Sequence, residues 1–138
     1  MITFKKVKVC FLLFFVFVNI FCIAPCYSLP LREDLFKNAL DLSSVGKFSL
    51  ALQEWNQYLD SYPDDAAGLS NRGNVRLVIG DVKGSIDDQN KAISLNPNEI
   101  DPYINRGIAE EALGQWSEAR KDYMFVISQD SENFSALY

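Results

Sequence analysis

The side chains best equipped for chemistry in this 138-residue chain are two acidic pairs, Asp87-Asp88 and Glu110-Glu111, and the cysteines Cys10, Cys22 and Cys26. Adjacent carboxylates could bind a metal or divide acid and base roles. Neighbours on a helix project about 100° apart, however, and do not converge on one ligand, so both pairs read as solvated helix faces. There is no histidine, which removes the usual general base, the partner that activates a serine or cysteine nucleophile, and most zinc sites. All the cysteines precede residue 29, so the rest of the chain holds neither a disulfide nor a thiolate site. No glycine-rich phosphate loop occurs. The expectation is no catalytic residue, no metal ligand and no cofactor.

Two arginines stand out by spacing instead. Asn71-Arg72-Gly73 returns as Asn105-Arg106-Gly107, 34 residues on, and Gly80 returns as Gly114. A period of this length marks a stacked-repeat protein. Three units follow, 32–65, 66–99 and 100–133, with Gly46, Gly80 and Gly114 at position 15 of each. Each unit should be two antiparallel helices joined at that glycine, which can end the first helix at no steric cost. The predicted helices are 33–45 and 48–61, 66–79 and 82–95, and 101–113 and 116–129. Apolar residues at helical spacing support them, for example Leu35, Ala39 and Leu42, or Phe48, Ala51, Trp55 and Leu59. Small residues at position 20 (Ala51, Ser85, Ala119) let the paired helices approach, and Pro63 and Pro97 at position 32 end the second helices.

With Leu35, Leu69 and Tyr103 at position 4 and Trp55 and Tyr123 at position 24, these residues resemble the tetratricopeptide repeat family. The departures are Gln89 at position 24, Arg76 and Glu110 at 11, and Ser131 at 32. The Asn-Arg-Gly openings and the run Gly114-Gln-Trp116-Ser-Glu-Ala119 also resemble cyanobacterial and plastid members. The resemblance implies an all-α fold, a right-handed superhelix (α-solenoid) of three tandem helix-turn-helix repeats. It also implies a concave groove, lined by the first helices, that receives a peptide or helix of a protein partner. By that resemblance the groove residues are Phe36 and Leu40 of unit one, Ser70, Asn74 and Leu77 of unit two, and Asp101, Ile104, Ile108 and Glu111 of unit three. A subset of the family clamps the carboxylate end of chaperones. The five clamp positions here hold Phe36, Leu40, Asn71, Asp101 and Asn105, and only Asn71 matches, so anion capture is rejected.

Arg72 and Arg106 fall at position 7, and Glu54, Asp88 and Asp122 at position 23. A guanidinium drawn off the surface needs a carboxylate, so each arginine should reach an acid at 23 in its own or the preceding unit. Unit one has Asn38 at position 7, which leaves Glu54 open to Arg72. The alternative is that the arginines lie along the surface with solvated heads.

The first 28 residues differ from the rest. Lys5, Lys6 and Lys8 precede the apolar run VCFLLFFVFVNIFCI, and Pro25, Cys26 and Ser28 follow. As a helix that run spans about 22 Å against about 30 Å of hydrocarbon. This describes an export signal cleaved near Ser28 or a tilted membrane anchor, placing the chain across a membrane (secretory pathway or periplasm) or on one, with the plastid thylakoid lumen as an alternative. Membrane contact is expected only through this segment. The remainder carries ten basic against eighteen acidic residues, a balance that argues against nucleic acid as partner. Residues 134–138 match the opening of a fourth unit, and Asn133-Phe134-Ser135 is an N-glycosylation triplet. Met124, Val126 and Ile127 on the last helix are therefore expected partly open, through truncation, a partner, or self-association at that end. Two functions stand: a non-enzymatic scaffold that holds a partner protein, with the assembly of a membrane complex as one setting, or a structural protein that stacks on itself.

Overall fold

The computed structural model describes residues 31–129. Six helices follow one another: α1 Arg32–Ser44, α2 Phe48–Ser61, α3 Ala66–Val78, α4 Val82–Leu95, α5 Asp101–Ala112 and α6 Trp116–Gln129. No strand occurs among the described residues. Three of the six match the expected spans, α3 and α5 end one residue early, and α1 is shifted by one residue at both ends. The expected signal or anchor segment (1–28) and the fourth-unit opening (134–138) lie outside the described residues.

Local chemistry sets the breaks. Gly46, Gly80 and Gly114 have φ of 76°, 89° and 73°, a left-handed conformation that costs other residues about 1–2 kcal/mol. Asp65 caps α3 by accepting the Gly68 N–H at 2.7 Å, and Asp81 caps α4 by accepting the Gly84 N–H at 3.1 Å, satisfying donors with no intrahelical partner. Paired helices pack within each unit, and each second helix packs on the next unit's first helix. The first helices α1, α3 and α5 also touch one another, whereas the second helices make no comparable contact. Helices crowd on the inside of a curved stack, so α1, α3 and α5 form the concave face.

The core changes character along the stack. In unit one Trp55 and Tyr58 are buried and meet Phe36 edge-to-face, with ring centroids 5.0 and 5.4 Å away, a favoured arrangement of aromatic quadrupoles. In unit two Ser70, Gln89 and Ala92 stand where Phe36, Trp55 and Tyr58 stand in unit one. Gln89 is fully buried and donates to the Ser70 carbonyl at 3.0 Å. At position 20, Ala51, Ser85 and Ala119 are all buried. Val126 is fully buried, contrary to the expectation of exposure, because it faces inward from α6 while Met124 is 58% exposed.

The solvated-face reading of the acidic pairs is half wrong. Asp87 is exposed, but Asp88 is buried, and in the second pair Glu110 is buried while Glu111 is half-buried. The arginines draw these acids in. Arg72 donates to both Asp88 oxygens at 2.9 and 2.6 Å, and Arg106 to both Asp122 oxygens at 2.7 and 2.6 Å. Each acid belongs to the arginine's own unit. The preceding unit contributes an amide instead, Asn56 Oδ1 to Arg72 at 3.1 Å and Asn90 Oδ1 to Arg106 at 2.6 Å. Glu54, expected as a partner for Arg72, forms no ion pair among the described residues. The result is a clasp repeated at both unit boundaries.

Candidate peptide-binding groove

The concave face carries two recesses. One, of about 380 Å³, lies between α3 and α5 and is lined by Ala67, Ser70, Asn71 and Asn74 from α3, Asp101, Ile104 and Asn105 from α5, and Asn96 and Glu99 from the turn between units. The other, of about 460 Å³, lies between α1 and α3 and is lined by Leu31, Arg32, Glu33, Phe36, Tyr58, Asp65 and Ala67. Both fall within the range of ligand sites, about 300–1,000 Å³.

Of the residues expected in the groove, Ser70, Asn74, Asp101 and Ile104 come together in the first recess and Phe36 in the second. Leu40, Leu77, Ile108 and Glu111 line neither recess. Leu40 and Ile108 stand 41% and 44% exposed on the first helices, where they can border a longer ligand. Ser70 is buried, with its hydroxyl accepting from Asn105 Nδ2 at 3.4 Å. Glu111 accepts the Tyr123 hydroxyl at 3.0 Å, so much of it is occupied within the fold. Burial first, and then this bond, raise the Tyr123 pKa.

The floor of the α1–α3 recess is a triad that sequence reasoning missed. The Arg32 guanidinium donates to the Tyr58 hydroxyl at 3.0 Å and pairs with Asp65, and Tyr58 donates to the same carboxylate at 2.8 Å. Burial alone would push the Asp65 carboxyl up, but the Gly68 N–H, the Tyr58 hydroxyl and Arg32 outweigh it and hold it below its ordinary value. Burial is the leading reason that Tyr58 titrates higher than usual. Asn71 and Asn105 were also passed over as groove residues. Their signal was the same amide at position 6 of two successive units.

Among the described residues no group of three or more acids could hold a metal ion, and no helix is long and apolar enough to cross a membrane.

The architecture defines the class: an all-α helical-repeat solenoid. No family model matches the chain. It is 33% identical over 99 residues to human sperm-associated antigen 1, covering 71% of this chain and 11% of that protein. It is 29% identical over 104 residues to tetratricopeptide repeat protein 36 of Danio rerio, covering 72% and 56%. Among solved structures, the first tetratricopeptide-repeat domain of Spaghetti (RPAP3) bound to the HSP90 peptide SRMEEVD superposes with a TM-score of 0.74 at 26% identity, covering 77% of this chain and 84% of that one. The names of the relatives and the structural neighbours together support the tetratricopeptide repeat family. The chain spans from about a tenth to a little over half the length of these curated relatives.

Proposed function

We propose that this chain is a non-enzymatic scaffold that holds an extended peptide or a helix of a partner protein along its concave face. The observation that carries the reading is the pair of recesses between successive first helices, with exposed Leu40, Asn74 and Ile108 bordering them. The binding of a peptide by the RPAP3 domain supports it. A photo-crosslinking residue placed at Ile108 or Asn74 should form adducts with a partner, whereas one at Asp87, on an outer helix, should not. Equal yields from both faces would refute the groove.

Export through the first 28 residues, anchoring to a membrane, service in assembling a membrane complex and a plastid or cyanobacterial setting all belong to the same proposal. N-terminal sequencing of the mature chain tests the first of these, with cleavage near Ser28 as the expected result. The competing idea, end-to-end stacking of copies, draws less support. The clasp between units needs an arginine at position 7 and an asparagine at position 25, and the outer units offer Asn38 and Met124 there. A head-to-tail copy could not form it, and light scattering on the full chain should show no growth of mass with concentration.

A further inference from the structure

We infer that the segment received by the groove carries a lysine or arginine, seated at the mouth of the α3–α5 recess beside Glu99 and Asp101. This rests on the groove reading above and adds the chemistry of the partner. Every basic residue on the three first helices is already engaged. Arg32 pairs with Asp65, Lys37 with Asp41, Arg72 and Arg76 with Asp88, and Arg106 with Asp122. The three central arginines are turned between the helices of their own units, so none offers a positive charge to the α3–α5 recess.

The acids are disposed the other way. Glu99 and Asp101 both line that recess, both are exposed, and neither is in an ion pair among the described residues. The closest internal partner of Glu99 is the neutral Asn96 amide, at 3.2 Å. Beside them stand the amides of Asn71, Asn74 and Asn105, of which the Asn71 and Asn105 nitrogens already donate to the Ala67 carbonyl and the Ser70 hydroxyl, and Ile104 and Ala67 offer apolar contact. A cation entering here gains two carboxylates and displaces no existing pair. An acidic segment such as the SRMEEVD peptide of the RPAP3 complex would meet like charge with no cation to offset it, and such juxtaposition selects against the wrong partner.

The test uses the full-length chain in a neutral detergent and a display library of random capped nonapeptides. The expected result is enrichment of peptides rich in lysine or arginine and poor in aspartate and glutamate. Synthetic copies should lose about fivefold in affinity to the Glu99→Gln/Asp101→Asn double variant, and most of the difference should vanish at high salt, as for partly exposed ion pairs. Circular dichroism checks that this variant keeps the wild-type helicity, because asparagine removes the negative charge that Asp101 places in the first turn of α5. Enrichment without a basic excess, or binding indifferent to the double variant, overturns this inference and leaves the groove standing. No enrichment above bare matrix overturns both.

Discussion

The two clasps are alike at position 7 and differ at position 11, and that difference predicts unequal costs for the same substitution. Asp88 is held twice, by Arg72 and by Arg76, whose Nη1 lies 3.0 Å from Oδ2. Asp122 is held by Arg106, and position 11 of its unit is Glu110, a second carboxylate 4.0 Å from the Arg106 Nε. The side chains of Asp88 and Asp122 are only 5% and 7% exposed. Arg72→Ala leaves Asp88 paired with Arg76, and the loss is that of charge-assisted hydrogen bonds, about 1.5 kcal/mol. Arg106→Ala strands two buried acids with no cation, for which about 3–5 kcal/mol is typical. Because the Arg106 side chain is 21% exposed, about 3 kcal/mol is the expected figure. Urea unfolding of the full chain, followed by circular dichroism at an m-value of about 1 kcal/mol/M, should place the two midpoints about 1.5 M apart. Part of the Arg106→Ala loss should return between pH 7 and pH 5, as the stranded carboxyls share a proton. Adding Glu110→Arg to Arg106→Ala should restore more stability than acid does. Midpoints that coincide within about 0.5 M would refute the reasoning.

Glu110 supplies a second prediction. Burial, then the Asp122 charge, raise its pKa, so the folded chain binds its proton more readily than the unfolded chain. The stability it contributes is complete below the ordinary glutamate value and is lost as pH rises through the raised one. Glu110→Gln should therefore stabilise the chain at pH 7, by about 1 kcal/mol, and the gain should shrink as pH falls towards the ordinary glutamate range. A gain independent of pH would point elsewhere. At Gly107, an added methyl would lie 2.5 Å from the Tyr123 ring. Gly107→Ala should thus cost about 1–3 kcal/mol in thermal or urea unfolding, despite the better helix propensity of alanine. Asp65→Ala removes a helix cap and the carboxylate shared by Arg32 and Tyr58. It should cost about 1–3 kcal/mol, and its effect should fade as pH falls from the ordinary aspartate value through the lowered one, where the folded wild-type carboxyl at last takes a proton.

The sequence by itself determined the helix pairs. Their causes are local: a glycine free to take positive φ at position 15, small residues at position 20, and apolar residues recurring at three and four. Such signals survive without knowledge of the partner helix, which is why three of the predicted spans match and no boundary of the others is off by more than one residue. Only the tertiary structure decided how the charges are spent. Periodicity shows that Arg72 and Asp88 share an interface, but Glu54 stands at the same repeat position as Asp88, and nothing in the spacing chooses between them. The choice falls to Asp88 because α4 packs against α3 within the unit, while the preceding helix brings Asn56 to the guanidinium. For the same reason Asp88 was misread as a solvated neighbour of Asp87: adjacent residues on a helix face different surroundings, and burial is a property of the packed pair. The groove divides likewise. Ile104 and Asn74 were legible from position in the repeat, whereas Glu99 and Asn96 come from the turn between units, and the Arg32–Tyr58–Asp65 triad joins the first residue, the second helix and the last residue of unit one, which meet only when its hairpin closes.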